Sequence, residues 1–152
     1  MLDDVFNRAA TTYGVYNPAD RSDGYAARLR RCVEDLEARR KDIEAALAHA
    51  SGTHTFDQIV EMVVAGHLTF WRLDNGFMLS EVITFPNTKH FHVFLAGGVL
   101  AELVAMHPDV VPVAAALGCS KITLSGRPGW VRALKDEGWQ PYLVTMMKEV
   151  AT

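Results

Sequence analysis

At Leu68 the spacing of apolar residues changes from three or four to two, and this change constrains the fold more than any other feature. Upstream, Tyr25, Leu29, Cys32, Val33, Leu36, Ile43 and Leu47 recur at helical intervals, so residues 25–49 read as one long helix. Downstream, Leu68–Leu73 and Phe77–Phe85 read as strands joined by Asp74-Asn75-Gly76, in which Asn-Gly favours the positive φ of a tight hairpin. Pro86-Asn87-Thr88-Lys89 turns the chain again into a third strand, His90–Leu95. Connections this short imply an antiparallel meander.

The remaining elements follow from local punctuation. Residues 1–23 read as a short helix and then a loop or arm, with Pro18 and Gly24 as breaks. Ser51-Gly52-Thr53 ends the long helix. Thr55 and Gln58 form a capping box for the next one, whose apolar face is Ile59, Met62 and Val63 and whose stop is Gly66. After the third strand, Gly97-Gly98 is expected to open a helical stretch, Val99–Leu117, which His107-Pro108-Asp109 divides and Gly118 ends. Ile122–Ser125 is a strand, and a strand–helix–strand crossover implies that it pairs in parallel. Gly126-Arg127-Pro128-Gly129 leads into a helix, Trp130–Glu137, stopped by Gly138, and Pro141–Val150 is expected as the last strand. The fold class is α/β (α+β): a mixed, mostly antiparallel sheet with helices on both faces, plus the long N-terminal helix. Residues 1–52 form an arm and a charged helix, packed on or extending from a core of residues 53–152.

At 152 residues and 49% hydrophobic, the chain suits one domain with a core of its own. A net charge of −3 gives no basic excess, so neither nucleic acid nor an anionic membrane is indicated, and no apolar run is long enough to span a bilayer. The opening MLDDVFNRAA is acidic and lacks the apolar stretch of a secretory signal. Cys32 and Cys119 form no CxxC pair, which fits a reducing compartment. Helix 25–49 carries a dense run of both charges around its apolar stripe. It is either a solvated face over a buried stripe or a near-heptad surface for a protein partner.

Two segments carry a family resemblance: HFHVFLAGGVLAELVAM, strand to glycines to helix, and LGCSKITLSGRPGWVRALKDEGWQPYLVTMMKEV, strand to helix to Gly138-Trp139 to strand. Over roughly residues 55–150 the chain resembles the GNAT (N-acetyltransferase superfamily) fold. The string GRPGWVRALKDEGW is similar to the ending of small GNAT-like proteins of tailed phages and prophages. The resemblance implies acetyl-CoA as co-substrate of an N-acetyltransferase acting on an amine. Its pyrophosphate would lie on Gly97, Gly98 and the amides following them, Val99 and Leu100, and its pantetheine arm along the strand 90–95, with Leu95 and Ala96 also among the cofactor-binding residues; Arg127 would bind a phosphate or carboxylate or cap a carbonyl. A helix N-terminus offers free donors and a positive dipole end for such an anion. The chain departs from the family pattern at three positions: Phe94 stands for Gln or Arg, Val99 for a second small residue, and Leu134 for a Tyr that protonates the leaving thiolate. These departures leave a second reading, a non-catalytic phage virion or assembly protein binding through helix 25–49 and the Tyr13/Tyr16 arm. The setting would be the cytoplasm of an infected or lysogenic bacterium in the first case, the virion in the second.

Acyl transfer to an amine needs a proton acceptor. Glu81 shares a strand face with Phe77, Leu79, Ile83 and Phe85, and is a candidate unless it pairs with Arg72 or lies at an open sheet face. His90 and His92 share a face of the third strand with Phe94 and titrate near neutrality. They lack a third ligand nearby, so no metal site is expected. Arg127, Arg132, Lys135 and Lys121 form a modest basic cluster, and Cys119 has no activating base beside it. Trp71, Trp130 and Trp139 are expected as core anchors.

Overall fold

The structure, a computed structural model, describes residues 2–50 and 52–151. Ser51, expected at the end of the long helix, lies outside the described residues. Four helices come first: α1 (Leu2–Tyr13), α2 (Tyr25–Ala38), α3 (Arg40–Leu47) and α4 (Phe56–Val64). The meander follows as β1 (Thr69–Leu73), β2 (Gly76–Thr84) and β3 (Lys89–Gly98). Then come α5 (Leu100–Ala105), α6 (His107–Ala116), β4 (Lys121–Leu124), α7 (Gly129–Leu134) and a single 3₁₀ turn, Lys135–Glu137. The sheet order is β1-β2-β3-β4, antiparallel except for the β3–β4 pair, which is parallel as the crossover requires.

Helices cover both faces of this sheet. On the first face, Leu36, Ile43, Leu47, Ile59 and Val63 of α2–α4 pack on Phe70, Phe77 and Leu79. On the second, Ala9 and Tyr13 of α1 and Met106, Val110 and Val113 at α6 pack on Trp71, Met78, Phe91 and Val93. The capping box forms as expected: Thr55 Oγ1 accepts from the Gln58 amide at 3.2 Å and Gln58 Oε1 accepts from the Thr55 amide at 2.9 Å. Gly66, Gly118 and Gly138 all take positive φ at helix ends.

Three expectations are corrected. The helix expected over 25–49 is broken at Arg39 (φ −105°, ψ 9°). There the guanidinium leaves the helix surface to donate to the carbonyls of Leu73 (2.5 Å), Gly76 (3.0 Å) and Asp74 (3.1 Å), tying the helix pair to the β1–β2 hairpin. Its apolar stripe is consumed by the chain's own core, and so are Tyr13 and Tyr16, both buried. Neither is available as the partner surface expected of helix 25–49 and the Tyr13/Tyr16 arm. The last strand, Pro141–Val150, joins no ladder: β4 is the edge of the sheet, and the segment beyond Trp139 is exposed and without regular structure.

Candidate functional site

The site begins as a fork in the sheet. β3 pairs with β4 only from His90↔Lys121 to Val93↔Leu124, then runs on to Gly98 with β2 alone beside it. A β-bulge opposite Leu79 and Ser80 places Phe94 as an extra residue at the fork, where it re-aims the strand. From Phe94 to Gly98 the β4 side of the backbone therefore has no partner strand among the described residues.

The glycines expected to form a phosphate loop lie inside β3, not in a loop that opens the helix. Gly97 and Gly98 face Phe77 and Gly76 across the β2–β3 ladder. A Cβ on Gly97 would come 2.9 Å from the Phe77 ring, and one on Gly98 (φ +104°) would come 2.3 Å from the Asn75 carbonyl oxygen. Both glycines thus let the hairpin tip close on β3. The Val99 amide is also committed, donating to the Asn75 carbonyl at 3.1 Å. The Asn75 backbone and side-chain amides in turn donate to Glu102 in the first turn of α5, each at 3.0 Å. The Leu100 and Ala101 amides donate to no acceptor among the described residues. Arg127 is exposed and makes no ion pair among them.

On the second face, the fork opens onto a mostly apolar cleft with about 50 Å³ of space open to water. Val93 and Ala96 of β3, Ile122 and Leu124 of β4, and Trp130 and Leu134 of α7 surround it. Of the three tryptophans expected as core anchors, only Trp71 is one, its Nε1 donating to Ser80 Oγ at 2.9 Å. Trp130 and Trp139 are half-buried and wall the cleft. Leu134, at the family's Tyr position, is buried.

On the first face, three polar residues form a row across three strands: Glu81, His92 and Thr123 are Cα partners in register. All three are half-buried. His92 Nδ1 and Thr123 Oγ1 are 2.8 Å apart. Burial pushes the His92 imidazolium below the ordinary histidine range; Glu81 opposes this and His90 adds to it. His92 is thus a neutral base at physiological pH. Arg72 does not pair with Glu81: it stands opposite Phe77 and holds Asp35 at 3.2 Å. His90 is buried and packs its ring 4.9 Å from that of Phe85. No cluster of metal-ligating groups occurs among the described residues.

Sequence reasoning missed Thr123 and His54. Thr123 meets His92 only through the parallel register of β3 and β4, which no local signal encodes. His54 packs edge-on against Phe94 at 5.0 Å from a loop 40 residues earlier in the chain.

No family model matches the chain, and no curated protein sequence does. Solved structures do. The fold is similar to that of TTHA1254 from Thermus thermophilus at 19% identity and a TM-score of 0.55, covering 78% of this chain and 93% of that one. It is also similar to a Trypanosoma brucei acetyltransferase at 12% identity and a TM-score of 0.51, covering 73% and 94%. The fold is therefore GNAT-like, a mixed α/β sheet with helices on both faces. Among the described residues no helix is long and apolar enough to cross a membrane.

Proposed function

We propose that the chain binds an acyl-CoA at the fork and transfers its acyl group to an amine. The observation that carries this reading is the unpaired side of β3 from Phe94 to Gly98. A pantetheine arm is an extended chain with two amides, and an open strand edge supplies the alternating donors and acceptors to hold one. The GNAT-like fold supports the same placement. In the reaction the amine nitrogen attacks the thioester carbonyl, a C–N bond forms and the C–S bond breaks. Neutral His92, oriented by Thr123, accepts the ammonium proton, directly or through water, and Glu81 attracts the cationic amine. With Leu134 in place of an acid, the departing thiolate takes its proton from water.

A second reading has its own support. Glu102 brings a carboxylate to the end of α5 where the pyrophosphate would lie, and among the described residues no basic side chain pairs with it. A GNAT-like binding protein without catalysis, such as the phage virion or assembly role suggested by the GRPGW run, fits that charge.

Thermal melts separate the two. Acetyl-CoA at about 100 times its Kd stabilises a binding-competent chain by about 2.7 kcal/mol. His92→Asn is expected to keep that shift and lose acyl transfer to a small amine. No shift at millimolar acetyl-CoA, with the fold intact, would overturn the acyltransferase reading and leave the second.

A further inference from the structure

The segment beyond Gly138 leaves its apolar side chains uncovered. Val144 is 85% exposed and Met146 90%, and Leu143, Met147 and Val150 are nearly as open. After Pro141 the segment has no Gly, Pro, Asn or Asp, so it has no residue suited to turning it back on itself. Its apolar residues fall on both parities, Leu143 and Met147 against Val144, Met146 and Val150. As a strand the segment would present apolar side chains on both faces.

The path of the chain keeps the segment from supplying this cover to its own molecule. The Trp139 ring lies 6.0 Å from that of His107, on the cleft face of the sheet. Three residues on, the Tyr142 ring lies 5.9 Å from Lys121 Nζ and 6.3 Å from the His90 ring. Those two residues project from the opposite face, by the period-two alternation that puts Phe91 and Ile122 toward the cleft side. The chain thus rounds the open edge of β4 and leaves on the side away from the cleft. One molecule presents an uncovered apolar segment on one side and an underfilled apolar cleft on the other.

We propose that these two features satisfy each other between two copies of this chain: the segment 143–151 of each lies as a strand over the cleft of the other, across a two-fold axis. Reciprocal exchange closes the assembly and leaves no free strand to propagate. The outer cleft walls, Trp130, Leu134 and Trp139, are apolar as the strand is. The polar rim includes Glu137, which is exposed and has no ion pair among the described residues. Lys148, which follows Met147 and is itself followed by Glu149, carries the charge opposite to that of Glu137. The inference does not require acyl-CoA binding, because it rests on the cleft walls and the exposed segment alone.

Sedimentation equilibrium of the full chain over the micromolar range tests it. The wild type is expected to be a dimer, and Val144→Asp/Met146→Asp a monomer with an unchanged far-UV spectrum, because those side chains are almost fully exposed within one molecule. Lys148→Glu is expected to weaken association roughly tenfold, and adding Glu137→Lys in the same chain to restore it. A wild type that stays monomeric would overturn the proposal, as would a dimer indifferent to the two aspartates. A charge swap that fails to restore what Lys148→Glu removed would also overturn it.

Discussion

The two faces of the sheet are built differently. On the first, α2, α3 and α4 seal the upper half with aliphatic and aromatic side chains at essentially no exposure, and the capping box and the Arg39 ties fix the helices in place. On the second, α5 and α7 are six residues each, α6 carries Pro112 in its interior, and the cleft stays underfilled beside half-buried tryptophans. Six-residue helices hold little helical stability of their own and depend on what packs against them. The contrast teaches where the molecule keeps its stability and where it has room for a ligand or a partner. The first face anchors β2 and β3; the second leaves the fork free.

The largest expected effect tests the anchoring role. Ile43 is 0% exposed and sits in the first-face core between α3 and the sheet. Ile43→Ala is expected to cost about 2–5 kcal/mol, since a well-packed site collapses only partly around the missing methylenes. Urea denaturation measures it. A loss below about 1 kcal/mol would mean that the first face is no better packed than the second.

A matched pair of enlargements sharpens the comparison at smaller magnitude. Val63 is 2% exposed in the first-face core, whereas Val104 lines the cleft. Val63→Leu adds a methylene where there is no space and is expected to cost about 1–3 kcal/mol. Val104→Leu adds the same group beside a void and is expected to stay within about 0.5 kcal/mol of wild type. Equal losses from the two would show that the cleft is not open in solution.

The same contrast explains what was legible in the sequence. The first face was written locally: a helical stripe from Tyr25 to Leu47, Thr55 with Gln58, and Asn75-Gly76 between alternating strands. Each is a short-range rule; the break at Arg39 escaped, because its cause is a hairpin more than 30 residues away. The site was less legible. Gly97-Gly98 matches a phosphate loop and a close strand pairing equally well as a string, and only the Asn75 carbonyl separates them. Leu143–Val150 has strand composition, but composition does not say whose sheet the strand enters. Glu81 and His92 were visible singly; that they stand opposite each other, with Thr123 next in the row, depends on two registers set by the whole sheet.

That row is half-buried on the first face, and its histidine gives the smallest expected effect. The folded-state pKa of His92 lies below its unfolded value because burial disfavours the imidazolium more than Glu81 favours it. Above the unfolded pKa of about 6.5 the residue is neutral in both states and contributes no pH dependence. As pH falls below that value the unfolded chain takes up the proton first, so stability falls, and it levels off once the folded imidazole is protonated too. His92→Asn keeps a hydrogen-bonding side chain near Thr123 but cannot titrate. Its stability is therefore expected to fall less steeply than that of wild type below about pH 6.5, and the two curves to run parallel above it. Parallel curves throughout would mean that water reaches His92 freely, and the row would then be an ordinary solvated stretch of sheet with no neutral base held in reserve.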